Sequence, residues 1–312
     1  MKTQNLLTLK IVAAITAYLL VVFYYFSNII ASYLLIYPSF GKIHEHYDEY
    51  LAVFNASTRI ILIYSSVALL FTSVLLLWFR PNSFPRKAIW VSIFLAFIST
   101  ITTLFFILPI QLSLWISGYN EVLFQHLMEI SLYFQIIPCL LLIIIVYWFL
   151  NRYLSHITFF RRWLFIVFIT LTFWTVNYDA LVCFSLYTTV GANDWLAFRD
   201  AIIPPVFFVL GILAFMPILL SIPMFWLRPK GIPKSFVGLY ALMIVWIFII
   251  SFSYIATDLQ GYLSHDYSRL KIEELINSDF MYRGLPSMVL TFITVCMFVK
   301  IGQDKINNQN VN

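Results

Sequence analysis

Trp78-Phe79-Arg80-Pro81, with a further proline at Pro85, returns as Trp226-Leu227-Arg228-Pro229 with Pro233. The copies stand 148 residues apart, and each closes one apolar run and opens the next. Trp settles at a membrane–water interface, Arg reaches the headgroups, and Pro cannot continue a helix, so together they end a span and begin a tight turn. Anchoring is all that the reading asks of them. Carried forward, the same offset pairs Tyr119 with Tyr267, Leu127 with Leu275 and Pro138 with Pro286. Upstream, Tyr37 and Gly41 pair with Tyr187 and Gly191 at an offset of 150. A long period carried by loop-edge residues predicts a duplicated unit, residues 1–152 and 153–312.

Apolar runs flank these turns throughout, near 11–36, 60–79, 88–110, 130–150, 163–187, 204–227, 236–256 and 283–301. Each approaches the roughly 17–25 residues that a spanning helix needs. Pro286 falls near the start of the last run, where a first helical turn tolerates it. Of the 312 residues, 62% are hydrophobic and 11% charged, against roughly 45–50% and 25% in soluble domains. Lipid is the solvent that accommodates such a chain. The predicted fold is an all-α integral membrane protein, eight transmembrane helices in two four-helix repeats. Four spans return the chain to its starting side, so the repeats are parallel, related by an axis along the membrane normal.

Lys2 and Lys10 precede a first run too long for a cleavable signal and without a small-x-small site, so it reads as a retained span. Of the 19 Lys and Arg, those at the termini and at the turns near 80, 152, 161 and 228 fall on one side and outnumber the rest about two to one. That side is predicted to be cytoplasmic, with both termini inside, in a bacterial inner membrane. The net charge of +5 is spread over these turns; no basic stripe interleaved with aromatics points to nucleic acid. Cys139, Cys183 and Cys296 lie in apolar runs without CxxC spacing, which indicates neither disulfides nor zinc.

The remaining polarity gathers on the other face, in loops predicted to form short amphipathic helices over the bundle mouth. His44 and His46 are an H-x-H pair among acids. With no third ligand at a typical spacing, they read as surface residues rather than a metal site. His126 and Glu129, at i and i+3, share a helix face as caps or hydrogen-bonding groups. Asp179 is different, because an acid inside a span costs roughly 2.5–3.5 kcal/mol at mid-bilayer and should face the interior, protonated or paired. Its candidate partners are Arg59, Arg199, Arg283, Gln111 and Gln260. Asn28 and Asn177 can bridge helices, and Pro217 and Pro223 should kink the sixth span. The candidate pocket comprises Asp179, Asn177, Gln111, His126, Glu129, Asp258, Gln260 and Arg283, with no metal and no cofactor assigned.

One four-span unit therefore opens with Ile36-Tyr37-Pro38-Ser39-Phe40 and an outer segment. It continues from Arg59 through the Trp-Phe-Arg-Pro turn to Leu108-Pro109-Ile110-Gln111, then past Glu121 and Leu127 into its fourth helix. This pattern resembles the anthrone-oxygenase-like group of small four-helix membrane proteins, over residues 8–150 and more faintly 163–301. The resemblance implies the four-helix fold, here in tandem. Phe54 stands where the group has a His in its outer segment, and Leu127-Met128-Glu129-Ile130 where Asn and Arg precede the fourth helix, so oxygenase chemistry is not implied. Three functions remain, in this order. The first is a non-catalytic module binding a lipophilic small molecule or a membrane protein partner, with the lipid bilayer as its surroundings. The second is an oxidoreductase acting on an aromatic or quinone-like compound through Asp179, His126 and Tyr178. The third is a transporter.

Overall fold

A computed structural model describes residues 2–81, 83–177, 186–250 and 268–309, and every regular element among them is helical. Helix α1 (Lys2–Ala31) runs through a π-helical turn, Ser32–Ile36, into a 3-10 turn, Tyr37–Lys42. Helix α2 (Tyr47–Thr58) passes through a second π-turn, Arg59–Ile63, into α3 (Tyr64–Leu75). Helices α4 (Arg86–Thr102) and α5 (Leu108–Ser117) are joined by Thr103–Ile107. Helices α6 (Glu121–Ser131) and α7 (Ile137–Tyr153) are joined by Leu132–Ile136. The second half contains α8 (Phe159–Asn177), α9 (Trp195–Leu227) and α10 (Lys234–Ile250). It ends with α11 (Arg269–Asp279), a π-turn at Phe280–Gly284, and α12 (Leu285–Gln309).

The π-turns have a cause in the sequence. Four of them end two residues before a proline: Pro38, Pro109, Pro138 and Pro286. A proline ring lacks the N–H and crowds the carbonyl four residues back. A turn widened at that point makes room for the ring without ending the helix. Pro286 therefore lies well inside a rod that begins at Arg269, rather than near the start of a span. The outer segments α2, α6 and α11 are thereby not separate lids but continuous extensions of the helices below them, α6 and α11 through turns widened before a proline and α2 through the turn Arg59–Ile63, which no proline follows.

Among the described residues, five rods are long and apolar enough to cross a membrane: Leu9–Lys42, Tyr47–Leu75, Arg86–Ser117, Glu121–Tyr153 and Arg269–Gly302. The segments Phe215–Leu227 of α9 and Lys234–Ile250 of α10 are apolar as well. At about 1.5 Å per residue the five rods run about 43–51 Å, against a hydrocarbon layer of about 30 Å. Their extensions build a second core. The main core packs Tyr18, Leu69, Ala96, Leu142, Phe149, Phe168 and Tyr240 between the long helices. The second gathers Tyr37, Phe40, Tyr50, Phe54, Leu114, Leu127, Tyr187, Trp195 and Phe198 at the end opposite the Arg-Pro turns.

In the first half α1 packs on α3 and α7, α3 on α4, and α4 on α7. In the second α8 packs on α9 and α12, α9 on α10, and α10 on α12. The halves meet where α1 lies against α8, and each of these two also touches the last helix of the other half. Arg80 Nη1 donates to the carbonyl of Phe84, and Arg228 Nε to that of Ile232 at 2.8 Å. These arginines, read from sequence as anchors, also lock the turns that bear them.

Candidate functional site

The described interior of the first half is polar at the depth of its π-turns, and every group there is uncharged. Thr103, in the π-turn between α4 and α5, is the hub. Its hydroxyl donates to the Ser99 carbonyl at 2.8 Å and accepts from Gln135 Nε2 at 2.9 Å. Tyr25 Oη, from α1, lies 3.1 Å away. Gln135 Oε1 accepts from Ser131 Oγ, one turn earlier, at 2.9 Å. Three rods are thereby joined through side chains that are all fully or almost fully buried. Thr103 fills both its donor and its acceptor capacity, while the neighbouring Ser99 Oγ is buried without a partner.

Two amides nearby also hold unpaired atoms. Gln111, on α5, is fully buried; Nε2 donates to Tyr37 Oη at 3.2 Å, while Oε1 has no partner. Asn55, on α2, is 4% exposed, and neither its Oδ1 nor its Nδ2 has a partner. Helices α2 and α5 pack on each other. Each unpaired buried polar group costs about 1–3 kcal/mol, so a folded chain that keeps three such atoms in one region calls for an explanation. Tyr37, the partner of Gln111, belongs to an aromatic cluster. Tyr37 meets Phe54 edge-on with centroids 6.1 Å apart, and Phe40 meets Phe54 at 5.0 Å. Tyr50 shares a hydrogen bond with Ser39 Oγ at 2.8 Å and reaches Phe198 of the second half at 6.0 Å.

The residues picked out by sequence divide. Gln111 belongs to this interior. His126 and Glu129 lie on the exposed face of α6. Arg283 is buried, in the π-turn before Pro286, where Gln135 stands before Pro138. Asn177 is the last described residue of α8, and its side chain is not among those described; Asp179, Asp258 and Gln260 lie outside the described residues. Asn55, Gln135, Thr103 and Tyr37 escaped the sequence reading. Gln135, a lone amide inside an apolar run ahead of Pro138, was the available signal.

A second feature is an open cleft of about 580 Å³, lined by Ile43, His44, His46, Tyr47, Asp48, Glu49, Gly118 and Tyr119. Its rim is set from the other half. The buried carboxylate of Asp194 accepts from the backbone N–H of both His44 and Glu45, and Asn193 binds the Glu45 carboxylate. His46 is held at φ 50°, and Gly191, at φ 82°, comes so close that a Cβ there would lie 2.9 Å from Glu45 Oε2. The Tyr119 hydroxyl donates to Glu121, and its pKa is pushed up to about 12 by burial and by that carboxylate. Among the described residues no three His, Cys, Asp or Glu side chains come together to hold a metal ion.

No family model, curated protein or solved structure matches the chain. Any functional reading therefore rests on this geometry.

Proposed function

We propose that this is a multi-pass membrane protein of two parallel four-helix repeats, spanning the bilayer eight times, that binds a small neutral amphipathic molecule in its first repeat. Several observations support the duplication. Helices α4 and α10 begin at Arg86 and Lys234, and α6 and α11, both 11 residues long, begin at Glu121 and Arg269, at the offset of the Arg-Pro turns. The π-turns before Pro138 and Pro286 keep the same offset. Bacterial inner-membrane residence with both termini cytoplasmic follows from the Lys and Arg distribution, and is proposed on that ground.

The observation that carries the binding reading is the pair of buried amides, Asn55 and Gln111, whose unpaired atoms lie on two helices that pack on each other. A bound molecule with a hydroxyl or amide end can satisfy both a donor and an acceptor there, while its apolar body lies among rings. A neutral ligand is favoured because the groups of the network carry no charge to offset one. The role is binding rather than turnover: two amides, two phenols and aliphatic hydroxyls can hold and orient a ligand, and the network offers no general base.

The test is to extract the full chain into lipid discs and identify every small molecule retained by the wild type, by Asn55→Leu and by Gln111→Leu. A neutral amphipathic compound held by the wild type and lost from both variants is the expected result. Identical retention in all three would defeat the proposal, as would a wild type that carries bulk lipid alone.

A further inference from the structure

We propose that the connection between the two halves, residues 148–163, is a binding site for the headgroup of an anionic phospholipid. It joins α7 to α8 and carries Arg152, Arg161 and Arg162. No Asp or Glu occurs from Ile130 to Tyr178, so neither adjoining helix offers a countercharge. The ion pairs found among the described residues involve other side chains. Arg161 and Arg162 also lie in the first turn of α8, where the helix dipole opposes positive charge. Among the described residues, these three guanidiniums thus have no anion of their own.

Geometry prepares two of them. The Arg152 guanidinium lies over the Trp148 ring, 4.7 Å from its centroid, and that of Arg162 lies 5.8 Å from the Phe159 centroid. Arg162 Nε is buried and has no hydrogen-bond partner. Stacking holds a guanidinium plane in place and leaves its N–H fork available for phosphate oxygens. Trp148, Phe159 and Phe160 are all exposed beside these charges. Exposed rings next to guanidiniums match the boundary between acyl chains and phosphate, which favours a lipid over a soluble anion. The site is separate from the amide pair and rests only on the chain's lying in a bilayer.

The test uses the purified full chain in detergent, titrated with phosphatidylglycerol and with phosphatidylcholine, and native mass spectrometry to count retained lipids. The wild type is expected to hold phosphatidylglycerol about a hundredfold better, and each arginine removed should lower that preference about fivefold. R152Q/R161Q/R162Q should bring the two lipids near parity, while K230Q/K234Q, basic residues of another turn, should keep the wild-type ratio. R162K preserves the charge pattern that governs insertion and should still lose severalfold, because an ammonium neither stacks nor binds bidentately. Equal retention of both lipids by the wild type overturns the proposal, as does an unchanged preference in R162K together with the triple variant. Competition by glycerol phosphate as strong as that by phosphatidylglycerol overturns the lipid assignment.

Discussion

Replacing Asn55 with leucine should make the ligand-free protein more stable while it empties the site. Asn55 is 4% exposed and has two amide atoms without partners. Each such atom costs about 1–3 kcal/mol, and part of that cost is relieved by small shifts that leucine would not need. Leucine has the same branching and number of side-chain heavy atoms as asparagine, is bulkier, adds apolar burial, and is the better helix former in α2. The net gain is about 1–3 kcal/mol, where an ordinary point substitution loses about 1 kcal/mol. Denaturant unfolding in mixed micelles, on protein shown by mass spectrometry to carry no small molecule, measures it directly. The same variant should retain none of the compound that the wild type carries. A loss of 1 kcal/mol or more in the empty variant would mean that the amide is satisfied in the folded protein, and the binding argument would fall with it.

Gln135→Leu should behave oppositely: it breaks the bonds to Ser131 and Thr103 and should destabilise the same preparation by about 1–2 kcal/mol. Asp194→Ala removes the shared acceptor of the His44 and Glu45 amides. It should cost about 2–3 kcal/mol and speed hydrogen exchange at those two amides well beyond the global change. Tyr119 adds a pH dependence. Its folded pKa, about 12 against 10 for the free group, favours the neutral phenol in the folded state. Its contribution is fully present below pH 10 and is lost as pH rises toward 12. Tyr119→Phe should therefore lose less stability across that window than the wild type does, as read by unfolding at stepped pH.

The membrane character and the helical class were legible in the sequence because they depend on local chemistry. Apolar runs of span length, Trp-Arg-Pro at their ends and the scarcity of charge act residue by residue, without knowledge of what packs where. Proline positions were legible too, but their effect was not. Pro286 reads as a helix start, because sequence alone does not reveal that the preceding turn can widen and carry the rod on from Arg269.

The site shows the same division. Gln111 was visible as a polar residue at the end of an apolar run. Asn55 gives no signal in the sequence, and only the packing of α2 on α5 buries it. His126 and Glu129 looked like a shared polar face, which they are, but the rotation of α6 points that face outward. The sequence by itself therefore determined solvent, helical class and the positions of turns, since these are sums over neighbouring residues. Only the tertiary structure decided which polar groups are closed off from water and which of those find partners. Burial and hydrogen bonding join residues far apart in the chain, as Tyr25, Thr103 and Gln135 are, and depend on the helix rotations that the widened turns impose.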